Sequence, residues 1–197
     1  MTAESAAASH QGVRSRSQYQ RRRRIVQAAA ALASRGGVEA MQMRTVAERA
    51  GVALGTLYRY FPSKMDLVVA VVSEEMDTLE GSLDRRPPRS ATAAGRAVEV
   101  LMRATRGLMR EPELADALIR SLLLSDVKTD FGDRMAGMLA RVTATDAERG
   151  TDESRVLLRS LSSVWVMEML EVLRGHTTNE VIQVRLEIAA ARLLADF

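Results

Sequence analysis

The sequence predicts an all-α protein of about nine helices, divided into an N-terminal three-helix head and a six-helix body. Apolar residues recur at helical spacing through almost the whole chain, and no segment alternates apolar and polar residues long enough to predict a strand. Prolines, glycines and helix-capping patterns divide this periodicity into segments of helical length. With 197 residues, 47% of them hydrophobic, the chain can bury a globular core.

The head is predicted at residues 17–62, after a disordered basic arm at residues 1–16. The arm consists mainly of small and polar residues, which favour a mobile terminus over a packed helix. Beyond the arm, apolar residues at helical spacing and the breaks between them predict three helices, at about 17–35, 45–50 and 54–60.

Local signals mark the ends of the two short helices. Thr45 and Glu48 form a capping-box pattern at the start of the first of them. Gly51 follows, and glycine readily takes the left-handed conformation in which helices commonly end. Pro62 stops the second short helix, because proline has no backbone N–H with which to continue it.

The body is predicted at residues 63–197. Ser63 and Asp66 repeat the capping-box pattern at its first helix, and Thr177 with Glu180 does so at its last. The six predicted helices lie at about 63–83, 93–110, 113–125, 130–149, 152–174 and 178–195.

Charge is distributed unevenly along the chain. Residues 1–64 contain eleven lysines and arginines and three glutamates, a balance of +8, whereas residues 65–197 contain seventeen basic and twenty-two acidic residues, a balance of −5. A basic segment of this kind is either a solvated tail or the surface that binds a polyanion. The uneven distribution of charge favours nucleic acid as the partner, because neutralised phosphates release counterions and so drive association.

Composition argues against several other classes of protein. The chain has no cysteine and only two histidines, His10 and His176, which lie in the predicted arm and in a turn between helices. No phosphate-binding glycine loop and no metal-ligand spacing is present, so we predict no catalytic residue, no metal, no cofactor and no enzymatic activity. No stretch reaches the roughly 20 apolar residues that a membrane helix needs, so we expect a cytoplasmic protein that does not bind membranes.

A helix-turn-helix is predicted around Gly51. Two helices joined by a short turn cross at a steep angle, and the small Ala47 suits the point where they touch. Val46, Ala50 and Leu57, together with Val52, are expected to form the small core of this unit. The second helix of such a pair presents its first turn to the major groove of DNA.

The chain has only seven aromatic residues, and three of them, Tyr58, Tyr60 and Phe61, lie within four positions. A core accepts Phe61 readily but accepts two tyrosines on either side of Arg59 much less readily. We therefore expect Phe61 to pack inside the head and the tyrosines to lie outside, where a hydroxyl can donate to a phosphate. For Arg59, reading a guanine edge and remaining a solvated charge stay equally open.

The segment "MRTVAERAGVALGTLYRYFPSKMDLV" (43–68) resembles the signature of the TetR family of bacterial transcriptional regulators. This resemblance implies a homodimer that binds a palindromic operator in double-stranded DNA. It also implies a six-helix body that binds a small molecule in each subunit. Matched position by position, it predicts DNA contacts from Arg44, Thr45, Leu54, Gly55, Thr56, Tyr58, Tyr60 and Lys64. Many members have Ser or Thr where this chain has Ala53, so the helix cap expected there is missing.

Six arginines lie before and within the first predicted helix, namely Arg14, Arg16 and the four of residues 21–24. They can form an arm that reaches the DNA backbone or the minor groove, or they can be a solvated helix start. Because like charges at adjacent positions cannot all face one duplex, one or two are expected to contribute directly.

The last two predicted helices are apolar on more than one face. A helix on the surface of a monomer needs a single apolar stripe, so the additional apolar residues predict a second packing partner. A two-fold contact between two copies of the chain satisfies this pattern and matches a palindromic operator.

The middle and later helices carry methionines and aromatic residues that can line an elongated apolar cavity. The same residues at helical spacing also suit an ordinary core. The candidate pocket residues are Met102, Leu122, Phe131, Met135, Met138, Trp165 and Met169.

Within the family, the chain resembles the KstR-type group, the actinobacterial repressors of cholesterol catabolism. The resemblance rests on "SRGGVEAMQMRTVAERAGVALGTLYRYFPSK" (34–64), "SSVWVMEML" (162–170) and "RLEIAAARLL" (185–194). It implies a repressor that a small apolar effector, such as a steroid or an acyl-CoA, releases from its operator. The alternative is a DNA-binding dimer whose body is a scaffold without a small-molecule sensor.

Overall fold

The computed structural model describes residues 3–124, 129–143 and 152–195, with the side chains of residues 3–15 and of Leu122 outside that description. The described residues form nine α-helices and a short 3-10 helix, and no strand, which confirms the all-α prediction. No helix among them is long and apolar enough to cross a membrane. The α-helices are α1 (Ala3–Gly36), α2 (Met43–Ala50), α3 (Leu54–Tyr60), α4 (Lys64–Arg85), α5 (Ala93–Leu108), α6 (Pro112–Leu124), α7 (Phe131–Thr143), α8 (Asp152–Leu173) and α9 (Asn179–Leu193).

Helix α1 differs most from the sequence-based expectation. It begins at Ala3, so residues 3–16, where a disordered arm was predicted, are helical. The segment is rich in alanine and contains no proline, and its single glycine, Gly12, is not enough to end a helix. Continuation of the packed half of α1 also removes the cost of starting a new helix. The sequence also gave no sign of the 3-10 helix Val38–Ala40 between α1 and α2.

The chain divides into two compact units, Met1–Val71 and Val72–Phe197. The division falls inside α4, later than the boundary that the sequence suggested near Pro62. The first turns of α4 belong to the first unit because Leu67, Val68 and Val71 are buried.

The core of the first unit is small and apolar. Helix α1 packs against α2, and α2 packs against α3. Apolar positions on α1 repeat at helical spacing and are buried here together with one face of α2. The fully buried residues of this core include Ile25, Val26, Ala29, Met41, Val46 and Leu57.

Backbone geometry at Gly51 sets the turn between α2 and α3. Gly51 has φ 66°, a left-handed conformation, and the next residue, Val52, donates its N–H to the carbonyl of Ala47 at 3.0 Å. This pairing ends α2 and turns the chain sharply. A Cβ at Gly51 would have no atom within 4 Å, so the backbone angle and not space requires glycine there.

Only one of the three predicted capping boxes is found as expected. Ser63 donates its N–H to Asp66 Oδ2 at 2.9 Å, and Asp66 donates its N–H to Ser63 Oγ at 3.2 Å. The Thr45 prediction is wrong, because α2 begins two residues earlier and Gln42 is its N-cap. Helix α9 begins after Thr178, one residue later than predicted.

The second unit buries its core among α5, α7, α8 and α9, with residues of α4 at its edge. Helices α7 and α9 both pack against α5 and α8, and α6 also packs against α8. Met76, Leu79 and Leu83 on α4 recur at intervals of three or four residues, so one face of that helix joins the core.

A hydrogen bond inside this core joins two helices that are distant in sequence. The indole Nε1 of Trp165 on α8 donates to Thr105 Oγ1 on α5 at 2.9 Å, and both residues are buried. Thr105 in turn donates its hydroxyl to the carbonyl of Leu101 at 3.0 Å. On its other side, the Trp165 ring stacks on Phe131, with 6.3 Å between the ring centroids.

We predict that Thr105→Val lowers the free energy of unfolding by about 1–3 kcal/mol, because it leaves the buried Trp165 N–H without an acceptor. Urea denaturation followed by circular dichroism measures the loss. In a Trp165→Phe background, which lacks that N–H, the same Thr105 substitution should cost clearly less. An equal cost in both backgrounds would show that the hydrogen bond does not account for the loss.

Candidate functional site

The α2–turn–α3 segment places two classes of side chain on opposite sides of a short helix. Leu57 and Phe61, four residues apart, are buried in the first unit. Tyr58 and Arg59 lie between them and are exposed, and Tyr60 is half-buried. The helical repeat thus separates the residues that hold α3 in place from those that it presents outward.

None of the eight residues predicted to contact DNA is buried. They divide into two groups by exposure. The exposed ones are Arg44, Thr45, Gly55 and Tyr58, and the half-buried ones are Leu54, Thr56, Tyr60 and Lys64. This distribution leaves all eight available to a partner.

The aromatic group at the end of α3 is joined to α1 by a contact that the sequence did not reveal. The guanidinium carbon of Arg22 lies 5.3 Å from the centroid of the Phe61 ring, over its face. The Tyr60 and Phe61 centroids are 6.5 Å apart. Arg22 thus makes a cation–π contact that ties the basic run of α1 to the end of α3. Spacing alone could not identify it, because all four arginines of the run are chemically equivalent in sequence.

Lys64, at the start of α4, has an intramolecular partner of opposite charge. Its ammonium lies 3.7 Å from Glu39 Oε2, and the Glu39 side chain is almost fully exposed. An ion pair this open contributes little to stability, so a phosphate can replace the glutamate at small cost.

Gly55 lies in the first turn of α3 and has no internal reason to be glycine. It is exposed, and a Cβ built there would meet no atom within 4 Å. Its φ is not positive, unlike that of Gly51. A missing side chain on the outer surface of a helix lets the helix backbone approach a partner closely.

The second unit contains a cavity of about 1040 Å³. Its wall is mostly apolar and comes from α4, α5, α6, α7 and α8. Three predicted pocket residues, Phe131, Met135 and Trp165, line it.

Three other predicted pocket residues, Met102, Met138 and Met169, do not line the cavity and are buried in the core instead. The expectation for these methionines is therefore corrected. The helices that carry these methionines are covered by protein on more than one side, so only one apolar face of each helix reaches the cavity. Periodicity shows that a position is apolar but not which neighbour covers it. The side chain of Leu122 lies outside the described residues.

Charged groups on the cavity wall are mainly basic. Five arginines line it beside a single glutamate, Glu75. Arg103 donates to the backbone carbonyls of Ser82 and Arg86, and Arg159 pairs with Asp133. The other three, Arg86, Arg106 and Arg110, form no ion pair in the described part of the chain and are exposed.

Glu75 has an altered ionisation. Part of its surface is open to solvent, yet the protein around it displaces water from the carboxyl group. This burial and, to a smaller extent, repulsion from Glu111 raise the pKa of Glu75 above its ordinary value. The cavity therefore has a carboxyl group that accepts a proton more readily than a free glutamate does.

Comparison with known proteins identifies the fold's relatives. The family described as bacterial regulatory proteins, tetR family, matches residues 25–71. The HTH-type transcriptional repressor KstR of Rhodococcus jostii is 37% identical over 187 residues, which cover 92% of this chain and 86% of that protein. The chain belongs to the TetR family.

Other TetR-family proteins agree with this assignment. KstR of Mycobacterium tuberculosis is 35% identical over 92% of this chain and 84% of its own length. A TetR transcriptional regulator from Rhodococcus sp. RHA1, known from its crystal structure, is 31% identical and has a TM-score of 0.84. That alignment covers 92% of this chain and 99% of the other. The family resemblance read from residues 43–68, and the narrower KstR-type resemblance, are both confirmed, and these relatives are regulators of transcription.

We predict that Gly55→Leu weakens DNA binding by at least about tenfold, roughly 1.4 kcal/mol, without destabilising the fold. The new side chain has space within the protein but would keep the first turn of α3 away from the DNA. Gly137→Leu is the matched control, because Gly137 is also an exposed helical glycine whose Cβ would meet nothing within 4 Å. Fluorescence anisotropy and thermal melting measure the two effects, and equal affinities for both variants would contradict a close approach at Gly55.

We predict that Glu75→Gln stabilises the protein at neutral pH and that the gain disappears in acid. The raised pKa means that ionised Glu75 is unfavourable in the folded state, so its contribution to stability falls as pH rises through that pKa. Below the ordinary glutamate pKa both side chains are uncharged and the variants should melt alike. Thermal melts from acid to neutral pH measure this, and a difference that does not vary with pH would contradict the charge explanation.

Proposed function

We propose that this TetR-family protein is a transcriptional repressor that binds a palindromic operator as a homodimer. An elongated apolar effector with an anionic group, bound in the second unit, releases it. The observation that carries the proposal is the outward presentation of Tyr58 and the open Gly55 on α3, beside the buried Leu57 and Phe61. KstR of Rhodococcus jostii, 37% identical over most of both chains, is itself named a transcriptional repressor.

DNA binding by the first unit has support from shape and charge. Helix α3 is short and follows a tight turn, as does the recognition helix of a helix-turn-helix. Leu54 and Gly55 in its first turn are proposed to face base edges. Tyr58, Tyr60 and Lys64 are proposed to hold the phosphate backbone, which fixes the register of the helix on the duplex.

A homodimer has support from apolar residues that the single chain leaves exposed. On α9, Val181, Val184 and Ile188 recur at intervals of three and four residues, and their exposed fractions run from 42% to 62%. On α8, Val164 is exposed as well. A contiguous apolar face of this kind is typical of a protein–protein contact, and two copies related by a two-fold axis would bury it symmetrically.

An effector site has support from the size and lining of the cavity. A volume of about 1040 Å³ accommodates a large ligand, and Phe131, Met135 and Trp165 offer it an apolar surface. Three arginines on the wall form no ion pair with the described residues, and they favour an anionic group at one end of the ligand. Of the two classes considered from the sequence, an acyl-CoA fits this lining better than a neutral steroid.

For release, the effector must bind more tightly to a conformation that is unable to engage the operator. The two units share helix α4, since residues on either side of Val71 belong to one continuous helix. Displacement of α4 by a ligand is therefore a direct route by which the cavity can influence the first unit. Helix α4 contributes five cavity-lining residues between positions 72 and 79, namely Val72, Glu75, Met76, Thr78 and Leu79.

The first experiment is selection of genomic DNA fragments on the purified protein, followed by titration of the selected duplex. We expect a palindromic motif, a stoichiometry of two chains to one duplex, and higher expression of the adjoining genes when the regulator is deleted. Binding without sequence preference would overturn the regulator proposal, and lower expression on deletion would indicate an activator.

Trp165 is the single tryptophan of the chain and lines the cavity, so its fluorescence reports occupancy directly. We predict that palmitoyl-CoA changes this emission and releases the operator, and that free CoA does neither. Gly107→Phe should weaken the response at least about tenfold, because Gly107 lines the cavity and has open space for a side chain.

Gly137→Phe is the matched control and should respond as the parent does, since Gly137 does not line the cavity. A neutral steroid, progesterone, tests the requirement for an anionic group. If operator binding is selective but no bulky apolar compound alters it or the fluorescence, the body is a scaffold without a sensor and the effector proposal fails.

A further inference from the structure

We propose that the basic part of α1, residues 16–24, is a second DNA-contacting surface. In this surface Arg16, Tyr19 and Arg23 bind backbone phosphates of the same duplex that α3 engages. The inference rests on the proposed DNA-binding function and adds to it a phosphate contact outside the helix-turn-helix.

Helix α1 continues well beyond the core that it helps to build. Its buried residues begin at Ile25, whereas residues 16–20 and 22–24 are exposed and Arg21 is half-buried. More than two turns of described helix therefore carry side chains that the first unit does not bury. Side-chain packing does not account for this length of helix.

All charged residues in and around the basic part of α1 are positive. Between residues 5 and 38 the chain has seven arginines and no acidic residue. Like charges three or four positions apart destabilise a helix, and no ion pair relieves them within the described part of α1. A polyanion supplies the missing compensation, and double-stranded DNA carries about one charge per 1.7 Å of its axis.

Arg16, Tyr19 and Arg23 share one narrow face of α1, because they follow one another at intervals of three and four residues. All three are exposed, and the Tyr19 side chain is the most open of the chain's tyrosines, at 66%. The combination of a tyrosine hydroxyl and flanking guanidinium groups repeats the chemistry of Tyr58 and Arg59 on α3. Such donors recognise phosphate oxygens.

The contact of Arg22 with Phe61 joins the basic part of α1 to the end of α3. Arg22 lies one turn after Tyr19, and its guanidinium covers the Phe61 ring next to Tyr60. The residues from Arg16 to Arg23 extend about 10 Å along the helix axis, enough to reach more than one phosphate. Two arginines of the run thus have different roles. Arg22 holds α1 against the end of α3, and Arg23 is free to bind DNA.

The test is the salt dependence of binding to the selected operator, measured by fluorescence anisotropy between 50 and 200 mM salt. Each lost phosphate contact reduces the steepness of log K against log salt by about 0.9. Because the proposed complex has two chains on one duplex, Arg16→Gln and Arg23→Gln should each remove two contacts and reduce the steepness by about 1.8. Between 50 and 200 mM salt, the affinity of either variant should therefore fall by a factor roughly 12-fold smaller than that of the parent. Tyr19→Phe should weaken binding at least about fivefold, since two hydroxyls are lost per duplex, with the slope unchanged because the hydroxyl is neutral.

Arg35→Gln is the matched control, since Arg35 is an exposed arginine of the same helix at the opposite end of its packed segment. It should leave the slope unchanged, and circular dichroism should show equal helix content in all variants. Parent-like slopes for both Arg16→Gln and Arg23→Gln would overturn this inference while leaving selective operator binding, and with it the proposed function, intact. Absence of selective binding by the parent protein would instead remove both.

Discussion

The burial of Leu57 and Phe61 is the constraint on which the first unit depends. Leu57 is the central residue of the seven-residue helix α3, and Phe61 directly follows its last residue, so a single apolar face fixes that helix on the core. The helical repeat then forces the intervening Tyr58 and Arg59 outward. Gly51 makes the arrangement attainable, because its left-handed backbone lets α3 turn back toward α2 within a few residues. The surface that is proposed to bind DNA thus follows from how the helix is held.

The second unit shows how a core and a cavity share the same residues. Trp165 is bonded to Thr105 on one side and stacks on Phe131 on the other, and both aromatic rings also line the cavity. A ligand in contact with these rings would therefore touch groups whose positions are set by hydrogen bonding and packing. Helix α4 contributes to the cavity wall and, through its first turns, to the first unit. This continuity is the simplest physical link between a proposed effector and a proposed operator.

Much of the fold could be read from the sequence, because the periodicity of apolar residues and the helix-breaking glycines and prolines are local signals. The limits of α3 at Leu54 and Tyr60 agree with the prediction, as does the Ser63–Asp66 capping box. Start signals were less reliable at Thr45 and Thr177, because α2 and α9 begin after Gln42 and Thr178, whose side chains make no capping hydrogen bond. The helix over residues 3–16 was missed because the composition of this segment is typical of a mobile tail. Its continuity with the rest of α1 favours a helix instead.

The sequence by itself determined the class of fold, the helix-turn-helix and the family, since these depend on residue types at fixed short spacings. Only the tertiary structure decided which apolar residues reach the cavity. Met135 does so and Met138, three positions later, does not, because the neighbouring helices that cover each face come from distant parts of the chain. The structure likewise distinguished Arg22 from its three identical neighbours by placing its guanidinium on Phe61, a contact across 39 residues that no local pattern encodes.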